Sequence, residues 1–423
     1  MKNANIFPNS QENQTKKLGI DYKPRRYSGS IVIDGLVTAD KFYQAGQRAK
    51  AVKYATAVFD ELSSDNSGDK PPQLLLERYN ADDLHSLIVN LCMEIVPLSS
   101  YFLPESYGLL YCKAKKINPS NPEIDFKVGL LLALQAKRSN EKLPDKYIKV
   151  LEITNRVLNN ERSNAALALA KGDIKELSLP YDLTRIHLYP DLTNLTTYVL
   201  LEQGDWFEKN DLNLFRSIIR VDDTILDLGA NVGVYSLSAA ARTDGKVIAV
   251  EPALHTFELL NKSAWQFSNM TAVHAAISDK KGTSFLSHKG SPESYEISDS
   301  SEAQNEKVSL VSVDELARNH GIESVDIIKL DVEGHELKAL AGAEKIISNG
   351  SPIVFYEIKH NKDLHLDLID VFKHLGYDSY FALPDAKTLV KYNEGIQLDP
   401  YLLNMIAIRS ESLSRLEGLV KID

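Results

Sequence analysis

The ten residues TILDLGANVG, positions 224–233, decide the fold. Ile225, Leu226 and Leu228 make an apolar run of the length of a buried strand, and the run breaks at once into Gly229-Ala-Asn231-Val-Gly233. Two glycines in five residues mark a turn where the backbone approaches something closely. The apolar-spaced residues beyond it begin a helix whose free N–H groups can meet a carboxylate or phosphate. Strand, glycine turn and helix are one step of an α/β sheet. The dinucleotide pattern G-x-G-x-x-G is not met, since Asn231 and Val234 stand at the second and third glycine positions. A plain tight connection accounts for the glycines but not for Asp227, whose charge at a buried strand end needs a partner. An ammonium group on a ligand would supply one.

The same alternation continues downstream. KVIAVEP (246–252) and MTAVHAAI (270–277) read as the next strands, and TSFLSH (283–288) and KVSLVSV (307–313) as more polar ones. DIIKLDVEG (326–334) and PIVFYEI (352–358) are the most apolar and suit the centre of a mostly parallel sheet. Helical spacing lies between them, in Phe257, Leu260, Ala264 and Phe267, then in Leu368, Phe372 and Leu375. SYFAL (379–383) and NMIAIR (404–409) are expected to pair as an antiparallel hairpin at the sheet edge, because their connection is too short for a crossover helix. Glu251 ends the second strand, 24 residues after Asp227. A carboxylate there can accept both hydrogen bonds of a ribose diol, outside the carboxyl ends of the strands. The two turns together describe a nucleoside that carries an amino acid, and S-adenosylmethionine fits that description better than NAD.

Upstream the texture is helical. Leu84, Leu87, Ile88, Leu91 and Ile95 share one helix face, and SSDNSGDKPP (63–72), Pro97, NPSNP (118–122) and Pro144 break the helices apart. Residues 30–178 are expected to form an all-α helical domain, either stacked hairpins of tetratricopeptide type or a generic bundle, with 179–423 as the α/β domain. Residues 1–29, rich in Asn, Gln, Ser and Lys, bury too little apolar surface to order and are expected to be a disordered tail. The net charge of −10 argues against a whole-chain preference for nucleic acid or an anionic membrane. No apolar run approaches the ~18 residues of a membrane span, and the N-terminus lacks the apolar core of a signal peptide. Cys92 and Cys112 have no metal-ligand spacing. A cytoplasmic, reducing location is the expectation.

DDTILDLGANVGVYSLSAAARTDGKVIAVEPALHTFELL (222–260), VSVDELARNHGIESVDIIKLDVEGHELKALAGAEKII (311–347) and PIVFYEI together resemble the FkbM family of S-adenosylmethionine-dependent O-methyltransferases, over roughly residues 180–412. The most specific match is K-x-D-V-E-G-x-E-x-x-x-L-x-G-A, beginning at Lys329. The resemblance implies a Rossmann-like, seven-stranded class I methyltransferase sheet with its last strand antiparallel, and a helical region outside the family's core. By the same likeness, Asp227, Gly229, Asn231 and Gly233 carry the methionine end of S-adenosyl-L-methionine, Glu251 the ribose, and Ser278 lies near the adenine. Phe207-Glu208 matches an aromatic–Glu pair that closes over the cofactor. The implied acceptor is a hydroxyl of a sugar or glycan precursor, or of a secondary metabolite.

The third chemical turn is Lys329-Leu-Asp331-Val-Glu333-Gly334. In strand alternation Lys329, Asp331 and Glu333 share a face, so an apolar strand delivers charges to its carboxyl end. They either pair with one another or act on a ligand. An acceptor hydroxyl needs a base, and Asp331, Glu333 and His360 are the candidates. Asp331 with Glu357 offers a divalent metal as a lesser option, and no histidine spacing suits zinc. The segment SHKGSPESYEISDSSEAQNEK (287–307) is either a disordered insertion or a lid over the acceptor pocket. Two rival readings stand beside the methyltransferase: a helical array that binds a protein partner while the α/β domain is idle, and an NAD-dependent oxidoreductase.

Overall fold

A computed structural model describes residues 31–61, 73–79, 120–206, 208–288, 295–298, 306–360, 363–364, 366–384, 387–396, 398–399 and 402–422, with Ala81, Leu84, Leu87, Ile88, Asn90, Leu91, Tyr111, Ala114 and Lys115. The expected tail 1–29 and both cysteines fall outside these residues.

Helices α1 (Ile31–Gln44) and α2 (Arg48–Glu61) form a hairpin, followed by α3 (Gln73–Arg78). Val32, Leu36, Val58, Leu75, Leu87 and Tyr111 close a core of their own there. Helix α4 (Pro122–Arg138) starts where Asn121 accepts the Glu123 N–H and Pro122 occupies the first position; acidic residues sit in its first turn and basic ones in its last. Next come α5 (Asp145–Leu158) and α6 (Glu161–Lys171), the latter begun by an Asn160–Ser163 capping box and ended by Gly172. Strands begin at Leu177, but the packing does not divide there. Phe126, Leu134 and Leu169 share one core with Tyr198, Phe215 and the sheet residues Ile225 and Phe355.

A hairpin absent from the sequence reading, β1 (Leu177–Tyr181) with β2 (Thr184–Leu188), leads to α7 (Leu195–Gln203) and α8 (Lys209–Ile218). The α/β portion then runs β3 (Ile225–Leu228), α9 (Val234–Ala240), β4 (Val247–Glu251), α10 (Leu254–Ala264), β5 (Met270–His274), β6 (Ala276–Ser278), β7 (Gly282–His288), β8 (Tyr295–Ser298), β9 (Glu306–Ser312) and α11 (Val313–Asn319). It continues with β10 (Ile327–Leu330), α12 (Glu336–Ala341), α13 (Glu344–Gly350), β11 (Ile353–Glu357), β12 (Lys359–His360), β13 (Asp363–Leu364) and α14 (Asp367–His374). Strands β14 (Asp378–Ala382), β15 (Thr388–Lys391), β16 (Asn404–Ile408) and β17 (Val420–Ile422) complete the chain.

Among the described residues the main sheet orders as β17-β15-β14-β16-β11-β10-β3-β4-β5. The expected seven strands are its run from β14 to β5, in which β11, β10, β3, β4 and β5 are parallel and β16 is antiparallel to both its neighbours. SYFAL and NMIAIR do pair antiparallel, but not at the edge. NMIAIR is inserted between β11 and SYFAL, and β15 and β17 extend the sheet beyond. The strand read across MTAVHAAI divides at Ala275. Its second half joins a separate sheet, β6-β9-β7-β8, and part of the serine-rich segment is β8 of that sheet.

Both faces of the central strands are covered, as a parallel sheet requires. Leu226, Ile248, Ile328 and Val354 pack on one side, and Ile225, Ala249, Ile327 and Phe355 on the other. Adjacent strands β3 and β10 bring Asp227 directly opposite Lys329. The chemistry therefore gathers at the carboxyl ends of β3, β4 and β10.

Candidate active site

The glycine turn is built from backbone. The N–H groups of Gly229 and Ala230 both donate to the Val250 carbonyl, at 3.0 and 2.9 Å, which ties the turn to β4. Gly229 takes φ +85°, and a Cβ there would stand 1.7 Å from the Asp331 carbonyl oxygen. The glycine is required because the first turn lies against the third. Gly233, at φ +100°, opens α9. Asn231, also left-handed, donates its N–H to Glu251 Oε2 at 2.9 Å, and Glu251 Oε1 accepts the Ala253 N–H at 2.9 Å. Each oxygen of this buried carboxylate retains a further lone pair.

A cleft of about 1070 Å³, counted to its open mouth, lies over these turns. Asp227, Asn231, Glu251, Lys329, Asp331 and Glu333 form its charged floor. Val250, Ala276, Ile277, Leu286 and Ile297 form an apolar end. Thr196, Trp206, Glu208 and Tyr235, supplied by the segments before and after β3, complete the wall. Leu286 and Ile297 come from β7 and β8, so the segment read as insertion or lid contributes to the pocket wall; residues 289–294 and 299–305 lie outside the described residues.

Lys329 organises the charge. It is 1% exposed, its Nζ lies 3.1 Å from Asp331 Oδ2, and it sits over the Tyr235 ring at 5.1 Å from the centroid. Burial works against its charge, but Asp331, Glu208 and Glu357 together hold its pKa above the ordinary lysine value. Five carboxyl groups line the cleft against this one basic side chain: Glu208, Asp227, Glu251, Asp331 and Glu333. Burial pushes Asp227 up to about 6 even with Lys329 opposite. It pushes Glu208 up to about 7, and Glu251 up to about 8 against its two N–H donors. Asp331 behaves differently, because Lys329 and a hydrogen bond from Glu357 outweigh burial and hold it below the usual range. Burial and the neighbouring Asp331 charge push the Glu357 carboxyl well above its ordinary value. Glu333 stands at the mouth, in the left-handed region at φ +51°, and its surroundings with Asp331 and Glu336 push it up to about 7.

Asp227 Oδ2 is buried with no hydrogen-bond partner among the described residues. The Ser236 hydroxyl and N–H lie near enough to favour the ionised form, and a ligand ammonium would add a stronger donor.

The structure brings Glu208, Asp227, Gly229, Asn231, Glu251, Asp331 and Glu333 to one cleft. Gly233 supports the turn from behind. Ser278 is not in the lining: it follows Ile277, is buried, and its hydroxyl donates to Asp279 at 3.0 Å. The chain turns at Ala275 to enter β6, which leaves Ala276 and Ile277 rather than Ser278 against the cleft. His360 lies in the short β12–β13 pair opposite Asp363; its side chain, like all of Phe207, is outside the described residues. Among the described residues no group of three or more His, Cys, Asp or Glu is arranged to hold a metal ion. Likewise no helix is long and apolar enough to cross a membrane. Sequence reasoning missed Trp206, Tyr235 and Asn404. Asn404 alone had a signal, as a polar residue opening the apolar strand NMIAI.

A sheet of this order, with a glycine turn after one strand and an acidic end on the next, defines an α/β domain of the Rossmann-like methyltransferase class. Residues 227–379 match the family model of the methyltransferase FkbM domain. A 137-residue stretch, 32% of the chain, is 26% identical to hexuronic acid methyltransferase AglP of Haloferax volcanii and covers 56% of that protein. Among solved structures, methyltransferase FkbM from Methylobacillus flagellatus KT aligns with 51% of this chain and 54% of its own, at TM-score 0.31 and 15% identity. Pyrococcus abyssi tRNA (uracil-54, C5)-methyltransferase in complex with S-adenosyl-L-homocysteine aligns over 55% and 44%, at TM-score 0.31 and 14% identity. The chain spans about half the length of these three relatives.

Proposed function

We propose that this chain is an S-adenosylmethionine-dependent O-methyltransferase acting on a hydroxyl of a sugar or glycan precursor. The observation that carries the reading is the make-up of the cleft: five carboxyl groups against one lysine that is already paired, three of them pushed up to about 7 or 8 because burial leaves them short of a cation, and one Asp227 oxygen without a partner at hydrogen-bond distance. Such a cleft favours a cationic ligand. A dinucleotide would bring a doubly negative pyrophosphate among those carboxylates. Asp227 would hold the ammonium of the cofactor, Glu251 the ribose hydroxyls through its remaining lone pairs, and Ala276, Ile277 and Leu286 the adenine. Bound there, the cofactor supplies an activated methyl group.

The residues divide the remaining work. Glu333, at the mouth and poised near neutrality, is the best-matched base for an acceptor hydroxyl. Asp331 is held ionised by Lys329 and by the hydrogen bond from Glu357, so it orients and fixes charge rather than taking a proton. The acceptor class is supported by the hexuronic acid methyltransferase named above. Calorimetric titration with S-adenosylhomocysteine and with NAD tests the cofactor. Binding of the first alone is expected, binding of NAD alone would overturn the reading, and binding of neither would favour an idle domain carried by an interaction protein. Methyl incorporation into a panel of free sugars and nucleotide sugars tests the acceptor; a panel without any methylated sugar would remove the glycan assignment.

A further inference from the structure

The turn joining α1 to α2 reaches the site although it lies far outside the matched segment. Tyr43 OH accepts a hydrogen bond from Asn210 Nδ2 at 3.1 Å. The Ala49 N–H donates to Asp399 Oδ2 at 3.1 Å, ahead of β16. Gly46, at φ +69°, is packed so closely after β14 that a Cβ would stand 2.9 Å from Leu383 Cδ2. A hairpin with its own core is thus anchored at three separate points on the α/β portion.

One anchor leads inward. Asn210 and Asp211 occupy the first turn of α8, two and three residues after Glu208. Glu208 stands at the N-cap of that helix without a side-chain cap bond, so α8 itself does not orient its carboxyl. Asn404 does: its Nδ2 donates to Glu208 Oε2 at 2.8 Å and to Asp211 Oδ2 at 3.0 Å. Tyr235 OH, a cleft residue, donates to the same Glu208 oxygen at 3.0 Å. The Arg48 guanidinium lies over the Tyr43 ring, 5.4 Å from its centroid, and so braces the residue that meets Asn210; burial pushes Asp211 above its ordinary value, with the Asn404 hydrogen bond and then the Arg48 charge opposing it.

We propose that the α1–α2 turn is a positioning element of the active site: Tyr43 and Arg48 fix the first turn of α8, and Asn404 passes that placement to Glu208 in the cleft. An amide nitrogen has two hydrogens, and here both are spent on carboxylates. If Asp211 moves away, Asn404 loses one acceptor and its amide can rotate. Glu208 then keeps only Tyr235. Arg48 and Tyr43 are positioning residues, since they act on the cleft only through α8 and Asn404. The functional consequence rests on the cofactor reading above; the placement of Glu208 does not.

Hydrogen exchange across residues 208–212 reads the first turn of α8 at the Leu212 amide, whose N–H to the Glu208 carbonyl is the bond that begins the helix. Arg48→Ala is expected to speed exchange there by about tenfold, with Arg48→Lys restoring most protection and Tyr43→Phe giving a smaller increase. Lys50→Ala is the control, since that amine bonds Gln47 within its own hairpin. Exchange in β10 and β11 should be unchanged in every variant. S-adenosylhomocysteine binding, measured on the same proteins, should weaken by about 3- to 10-fold in Arg48→Ala alone of the charge variants. Unchanged exchange at 208–212 in both Arg48→Ala and Tyr43→Phe overturns the proposal, as does a loss of protection spread equally through β10 and β11. A wild-type protein that binds no S-adenosylhomocysteine removes the cofactor reading and leaves the exchange result to decide the positioning role.

Discussion

The turn after β3 and the turn after β10 lie against each other, and they are made of different materials. From Leu228 to Gly233 the shape is held by backbone: paired N–H groups on the Val250 carbonyl, left-handed glycines, and Glu251 clasping the Asn231 N–H. From Lys329 to Gly334 the shape is held by charge, with Lys329 buried among carboxyl groups of which some are pushed up and one is held low. Backbone geometry tolerates almost no change and feels pH only through Glu251, pushed up to about 8. A buried charge cluster tolerates shape-preserving substitution poorly and responds to pH throughout. Where the two meet, at Gly229 against the Asp331 carbonyl, an error in the first turn displaces the second.

The most severe way to break the contrast is Gly229→Ala. With φ +85° and a Cβ 1.7 Å from backbone, one of the turns must give way. A loss of well over about 3 kcal/mol is expected in chemical denaturation, at any pH between 6 and 8. A stable, active variant would mean that the turns are not in contact.

Lys329→Met should come next, at about 3–5 kcal/mol, because it leaves buried carboxylates without their cation. This deficit should depend on pH. Asp227 and Glu208, pushed up to about 6 and 7, bind protons more tightly folded than unfolded, so their contribution is present at low pH and lost as pH rises through those values. Asp331, held low, runs the opposite way but only in the acid range below ordinary carboxylate values. The variant should therefore be less impaired at pH 6 than at pH 8. Equal deficits at the two pH values would show that the carboxyl groups do not depend on Lys329.

Glu333→Gln separates chemistry from architecture. Turnover should fall by roughly 10²-fold while S-adenosylhomocysteine affinity stays within about twofold. Wild-type activity should climb as pH rises through about 7, where the Glu333 carboxyl loses its proton, and the variant should lose that limb. A variant with the wild-type profile would move the base to another residue. The smallest effect belongs to Ser278→Ala. With its hydroxyl turned to Asp279 and away from the cleft, stability should change by less than about 0.5 kcal/mol, with no change in cofactor affinity. Loss of affinity would bring Ser278 back to the adenine.

Much of the first turn was legible in the sequence. Gly229, Asn231 and Gly233 announce left-handed backbone, Asp227 announces a strand-end charge, and both are local properties. Their reasons were not all legible: Gly229 is demanded by Asp331, a hundred residues on, and Glu251 already holds two backbone N–H groups of the turn it was expected to serve. Glu251→Ala would accordingly disturb the turn as well as the cofactor site. The order of β14, β15, β16 and β17 escaped the reading because strand pairing is chosen by which neighbour buries the free edge, and a short loop does not force adjacent strands to lie at the edge.

The sequence by itself determined the strand–turn–helix steps, the apolar central strands, the charges delivered to their ends and the family likeness, because each rests on residues close together in the chain. Only the tertiary structure decided which charges share Lys329, which carboxyl groups are pushed up and which is held low, and that Tyr43 meets Asn210 while Asn404 bridges Asp211 and Glu208. The physical reason is that a pKa and a hydrogen-bond partner depend on distance and burial, and residues as far apart as 43, 210 and 404 meet their partners only when the core closes around them.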